Sequence, residues 1–105
     1  MKPAILSKRA AADIEGAAAG YAGERAELAD AFIDALEHAV RHLETHPAAG
    51  SPRYAHVLAI PQLRFWLLRK FPFALFYIEQ PDRLYVIRCV HMKRDIPASL
   101  RDEET

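Results

Sequence analysis

Two sets of side chains in this sequence are of the types that do chemistry. The first is Arg64, Arg69, Arg88, His91 and Arg94. Guanidinium groups grip phosphate oxygens and a histidine can move a proton near neutral pH, so this set contains the parts a ribonuclease needs. The competing reading is structural, with Arg69 and Arg94 capping or pairing locally, for example with Asp95. No positioned carboxylate–histidine pair is legible, and no tyrosine follows Tyr85. The second set is His38, His42 and His46, recurring every four residues. That spacing can ligate zinc, but no cysteine or third-ligand constellation accompanies it, so the three read as a solvated helix flank and no metal site is expected. The single Cys89 sits inside an apolar stretch and reads as a small buried hydrophobe, not a nucleophile.

The first set belongs to the stretch from Leu63 to Pro97. Leu63–Lys70, Phe73–Ile78 and Leu84–His91 are runs of aliphatic, aromatic and β-branched residues, punctuated by Pro72 and by Pro81-Asp82. They predict three strands joined by tight turns, which permit antiparallel pairing only. Both faces of these strands are apolar. Leu63, Phe65 and Leu67 oppose Trp66 and Leu68; Phe73, Leu75 and Tyr77 oppose Ala74, Phe76 and Ile78; Leu84, Val86 and Val90 oppose Tyr85, Ile87 and Cys89. Both faces therefore need cover. The expectation is that one face belongs to a second chain; the alternative is a short helical layer on one side and the chain's own loops on the other.

Lys2–Leu6 reads as a short added strand. Ser7 is an N-cap for a first helix carrying Ala10, Ile14, Ala17 and Tyr21, with Gly20 and Gly23 bracketing its end. Ala10, Ala17 and Ala18 give that helix a small face for close approach. Leu28, Phe32, Leu36, Ala39, Val40 and Leu43 predict a second helix from about Gly23 to Thr45, ended by Pro47. The two form an antiparallel hairpin that can cover one sheet face. Residues 47–61 read as a loop with locally packed Val57, Leu58 and Ile60, and Pro97 opens a short terminal helix. The expected fold is α+β: an N-terminal strand and a helical hairpin packed on a three- to four-stranded antiparallel sheet, all in one domain over residues 1–105.

A chain of 105 residues can bury a core without metals or disulfides. With 51% hydrophobic and 27% charged residues it has an ordinary globular composition. One cysteine, no signal peptide and no run of eighteen apolar residues predict a cytoplasmic protein without a membrane span. The zero net charge hides a division. Residues 1–50 hold five Lys/Arg against eight Asp/Glu, and residues 51–100 hold eight against three. The sheet half is basic, which suits an acidic partner segment or a phosphate backbone.

Several segments together resemble the ParE branch of the RelE/ParE superfamily, the toxins of type II toxin–antitoxin modules. They are Leu6-Ser7 with Ala11 and Asp13-Ile14, the helix carrying Phe32 and Leu36, Leu43–Pro47, and Gly50–Arg53. The most specific are Ile60–Trp66, Phe71-Pro72-Phe73 with Phe76-Tyr77, and Arg88–Pro97. The resemblance implies a compact α+β fold and a cognate antitoxin whose C-terminal part folds over the toxin. It implies DNA gyrase as the target, poisoned by binding and not by catalysis. RelE-type members instead cut messenger RNA on the ribosome with basic residues and a C-terminal tyrosine or histidine. This chain keeps His91 and Arg94 but ends Ser99–Thr105 without that tyrosine.

The resulting expectation is a toxin that inhibits gyrase and forms a hetero-oligomer with its antitoxin. No cofactor and no catalytic residue are expected, and direct nucleic-acid binding is left open. Phe65, Trp66, Phe73, Phe76 and Leu36 are assigned to antitoxin burial. Arg69, Arg88, His91, Arg94 and Asp95 are assigned to target contact. The alternative is a ribosome-dependent endoribonuclease using Arg69, Arg88, His91 and Arg94.

Overall fold

The computed structural model describes residues 1–94 and 96–101, Arg101 by its backbone alone. The elements run β1 (Ala4–Leu6), α1 (Lys8–Glu24), α2 (Ala26–Thr45), β2 (Leu63–Leu67), β3 (Phe73–Glu79), β4 (Leu84–His91) and α3 (Ile96–Arg101). This is the expected α+β arrangement of strand, helical hairpin and meander. Ser7 caps α1 as expected, its Oγ accepting the Ala10 N–H at 2.9 Å. The helix runs through Gly20 and Gly23 instead of ending there. Arg25, extended at φ −158°, separates it from α2. Along α2, Phe32, Leu36, Ala39 and Leu43 are buried, the stripe that the helical period places on one side.

The sheet order is β1-β4-β3-β2. β2 and β3, and β3 and β4, pair antiparallel. β1 joins β4 in parallel, Ala4 facing Leu84 and Leu6 facing Val86, so the sheet is mixed and not wholly antiparallel. The short-turn rule that fixes the other pairs does not reach β1, because two helices and two strands separate it from β4. β2 stops at Leu67, short of the expected Lys70, and Lys70 adopts a left-handed φ of 66° in the turn to β3.

One register shift changes which side chains share a face. Phe76 faces Arg88 and Tyr77 faces Val86, leaving Ile87 as the extra residue of a bulge. Beyond it the alternation is inverted. Cys89 joins Leu84 and Val86 on the helix side, and Val90 joins Ala74 and Phe76 on the other. The simple alternation read from the sequence had these two reversed.

Both faces are covered from within the chain. α1 and α2 bury Leu68, Leu75, Tyr77, Leu84, Val86 and Cys89. On the opposite face Leu63, Ala74, Phe76 and Val90 lie with Ile96 and Leu100 of α3, and Tyr54, Ala55, Leu58 and Ile60 of the loop pack against them. This corrects the expectation that one face belongs to a second chain and agrees with the alternative, a helical layer on one side and the chain's own loops on the other. Residues of modest apolar pattern, spread over the loop and the terminal helix, supply that cover.

A buried ion pair ties these layers together. Arg88 is 2% exposed. Its Nε donates to Asp13 Oδ2 at 2.7 Å and its Nη2 to Asp13 Oδ1 at 3.1 Å, a two-point pairing between β4 and α1. Nη1 donates to the Ser99 carbonyl of α3. Asp13 Oδ2 also accepts the Cys89 N–H at 3.0 Å. β1 ends opposite Val86, so α1 rather than a strand meets the β4 edge at that level. Removing the carboxylate takes from the buried guanidinium the two-point pairing that Asp13 supplies. Asp13→Ala is expected to cost roughly 3–5 kcal/mol, the usual scale for breaking a buried pair, measured by urea unfolding. The thiol of Cys89 is pushed up from 9.0 to about 12, first by burial and then by the Asp13 charge, with Arg88 opposing. Between those values the unfolded chain releases a proton that the folded chain keeps, so this group lowers stability as pH rises through the window. A thiol reagent at pH 9 should leave the native protein unlabelled and label it fully in denaturant.

Candidate functional site

The sequence places its candidate residues on two regions, and the fold separates them. The first is the outer strand β2. Beyond a single bridge from Ser51 to Phe65, no described strand pairs with its outer side. Leu67 is 54% exposed, and Phe65 and Trp66 are half-buried. With Ala49 and Ser51 they line a shallow depression of about 370 Å³.

The wall of this depression is fixed by Tyr77. Its hydroxyl donates to the Pro47 carbonyl at 2.6 Å and accepts the Gly50 N–H at 3.0 Å. Burial raises the pKa of this phenol, so it remains a donor. Gly50 is required for close approach, since a Cβ there would stand 2.5 Å from the Tyr77 hydroxyl and 2.9 Å from the Phe65 carbonyl oxygen. Arg64 is committed to the same loop, donating to the carbonyls of Ala48 and Gly50.

Trp66 leans the other way, toward α2. Its ring stacks on His42 at 4.8 Å, and His42 stacks on His46 at 4.9 Å. Two of the three regularly spaced histidines thus form an aromatic column with the tryptophan. A small slot of about 130 Å³ between α2 and β2 is bordered by His38, His42, Trp66 and Arg69. No group of three or more His, Cys, Asp or Glu among the described residues is placed to hold a metal.

Three residues assigned to antitoxin burial lie deeper than expected. Phe76 is fully buried, with its ring 5.5 Å from Phe65 and 5.8 Å from Tyr54. Leu36 is 8% exposed and belongs to the core under α2. Both are interior residues in this fold, which corrects their placement at a surface. Phe73 is half-buried in an aromatic cluster with Tyr21, Phe32 and the ring of His91. Burial also raises the Tyr21 hydroxyl pKa, with Glu24 adding to the effect.

The second region is the end of the sheet where β2 turns into β3 and β4 finishes. The Met92 N–H donates to the Pro72 carbonyl at 2.8 Å, joining the 68–72 turn to the segment after β4. Arg69, Lys70, Lys93 and Arg94 are exposed there and His91 is half-buried. His91 Nδ1 accepts the Lys93 N–H at 3.1 Å, which leaves Nε2 as the ring's donor. His91, Lys93 and Arg94 form one side of a cleft of about 570 Å³ whose other side includes Ala12, Gly16 and Ala17 of α1. Arg88 does not join them, because it is buried and engaged with Asp13 and Ser99; it is a core cation in this fold. Asp95 lies outside the described residues. Sequence reasoning passed over Lys70 and Lys93, although both sit in the same runs as Arg69 and Arg94.

Among the described residues no helix is long and apolar enough to cross a membrane. No curated protein is similar enough in sequence to count as a match. The fold matches a solved chain of a chromosomal ParDE toxin–antitoxin system from P. aeruginosa with a TM-score of 0.71 at 20% identity, covering 87% of this chain and 96% of that one. The family model described as ParE toxin of type II toxin–antitoxin system, parDE, matches residues 4–96, spanning both regions described above. With that match running over residues 4–96, the chain belongs to the ParE toxins of type II toxin–antitoxin systems.

Proposed function

We propose that this ParE-family toxin inhibits DNA gyrase by binding it and is held silent by a cognate antitoxin. The observation that carries the antitoxin half is the strip on β2, where Leu67 and the half-buried Phe65 and Trp66 border an apolar depression on an outer strand. A partner segment covering Leu67 and Trp66 removes large apolar side chains from water at ~1.5–3 kcal/mol each, before its ordering cost is subtracted. Phe73 contributes through the cluster it supports. The gyrase half rests on family membership, and its contact surface is the basic end carrying Arg69, His91 and Arg94. Arg88 and the interior Phe76 act through the fold, by holding α1, β4 and α3 in register. The ribonuclease reading is disfavoured, because Arg88 already has Asp13 and Ser99 as partners.

Purified toxin added to gyrase and relaxed plasmid is expected to suppress supercoiling and accumulate cleaved DNA. Unchanged supercoiling at toxin excess, or cleavage of messenger RNA in a ribosome assay, would reject the gyrase reading. Induction without an antitoxin should arrest growth, and co-expression of the neighbouring antitoxin should restore it. Trp66→Ala and Leu67→Ala are each expected to weaken the toxin–antitoxin complex about 10-fold or more by calorimetry, a hot-spot scale loss. Affinity unchanged by both would move the antitoxin site off β2.

A further inference from the structure

We propose that the basic end of the sheet is a phosphate-backbone site, and that this toxin contacts DNA directly through Arg69, Lys70, His91, Lys93 and Arg94. The inference deepens the gyrase reading, on which its consequence for inhibition rests; the contact itself is a property of the chain alone.

The first support is the pairing state of these cations. The three ion pairs formed by described residues are Lys2–Glu79, Arg41–Glu37 and Arg88–Asp13. None uses Arg69, Lys70, Lys93 or Arg94, which are all exposed. They lie on two connections joined by the Met92–Pro72 hydrogen bond, in a molecule whose net charge is zero. Asp30, Asp34 and Glu37 face solvent on α2, Glu24 stands by Tyr21 at the end of α1, and Asp13, which lines the cleft, is already engaged by Arg88 and the Cys89 N–H. Asp95 follows Arg94 in sequence and lies outside the described residues. A neutral molecule that gathers four exposed cations on two joined connections orients toward a polyanion without being held by its net charge.

The second support is Lys70. Its φ of 66° is a conformation that glycine adopts freely and a side chain occupies at a cost. A long cationic side chain stands where backbone preference favours none. Shape gives the third support. The cleft beside His91, Lys93 and Arg94 is lined by Ala12, Asp13, Gly16 and Ala17 of α1 and by Phe73 and Cys89 of the sheet; the small residues of α1 leave room for a phosphate, and the Asp13 carboxylate there is already paired with Arg88. An acidic protein segment is the less suitable occupant, since protein interfaces centre on a desolvated apolar anchor. Among the described residues the exposed large apolar side chains are Leu67, near this end, and Met1, Ile5, Leu6 and Val57.

The test uses the full chain and a short fluorescent DNA duplex, without gyrase, with anisotropy read across a salt series. Binding is expected to weaken linearly in log–log form as salt rises, each phosphate contact contributing a slope of about 0.9. Lys93→Ala combined with Arg94→Ala should reduce that slope by about 2. Lys70→Gly should reduce it by about 1 while the thermal midpoint stays level or rises, separating loss of charge from loss of fold. Arg83→Ala, at the opposite end of the β3–β4 meander, should leave the slope unchanged. No binding at about 50 mM salt, an unaltered slope in the folded Lys93/Arg94 variant, or equal affinity for a polyglutamate peptide would overturn the proposal. The gyrase assay is read separately. Supercoiling inhibition without duplex binding defeats this inference and spares the gyrase reading, whereas duplex binding without inhibition does the reverse.

Discussion

The bidentate pair between Asp13 and Arg88 is the constraint on which the other layers depend. It is one of the few places where charge is taken out of water, and it meets the condition that makes such burial tolerable. The guanidinium has two carboxylate oxygens and a carbonyl as partners, and the carboxylate also accepts a backbone N–H. Because those partners sit on α1, β4 and α3, the pair fixes where the helical hairpin lies along the sheet. It also fixes how the terminal helix closes the far face. Hydrophobic contact alone would set distances between these layers but leave their sliding position loosely defined.

With the layers fixed, the molecule has an interior on each side of one sheet. The hairpin seals one side with Phe32, Leu36 and Leu43, and the loop and α3 seal the other with Leu58, Ile60, Ile96 and Leu100. What remains uncovered is local. The strip at Phe65, Trp66 and Leu67 is exposed because β2 is the last strand, and its outer side meets only one bridge from Ser51. A partner seated at the proposed β2 site would complete an edge and is not needed to complete a core.

Charge follows the same division. The turn from β2 to β3 carries Arg69 and Lys70, and the segment after β4, joined to that turn by the Met92–Pro72 hydrogen bond, carries Lys93 and Arg94, while most of the acids lie on the helical hairpin. Aromatic packing supports the basic end from beneath, since Tyr21, Phe32, Phe71 and Phe73 pack ring against ring and Phe73 meets the His91 ring edge-on. Arg69, Lys70, Lys93 and Arg94 are exposed and take part in none of the ion pairs formed by the described residues.

Much of this was determined by local sequence. The period of Phe32, Leu36, Ala39 and Leu43, the Ser7 cap, and the proline-punctuated apolar runs specify a helical hairpin followed by a meander, because these signals act between near neighbours. The family likeness rested on the same segments. Other features were decided only by tertiary contact. The parallel addition of β1 and the bulge at Ile87 both depend on partners distant in sequence, and so does the inversion of Cys89 and Val90. The second cover was hard to weigh because Leu58 and Ile60 lie in a loop and Ile96 and Leu100 are a single pair four residues apart, and they become a layer only when β3 and β4 lie beneath them. Arg88 was read as a surface cation for the same reason: its counter-charge is seventy-five residues away. Residue type announces a charge, but only the fold determines whether water or a carboxylate meets it.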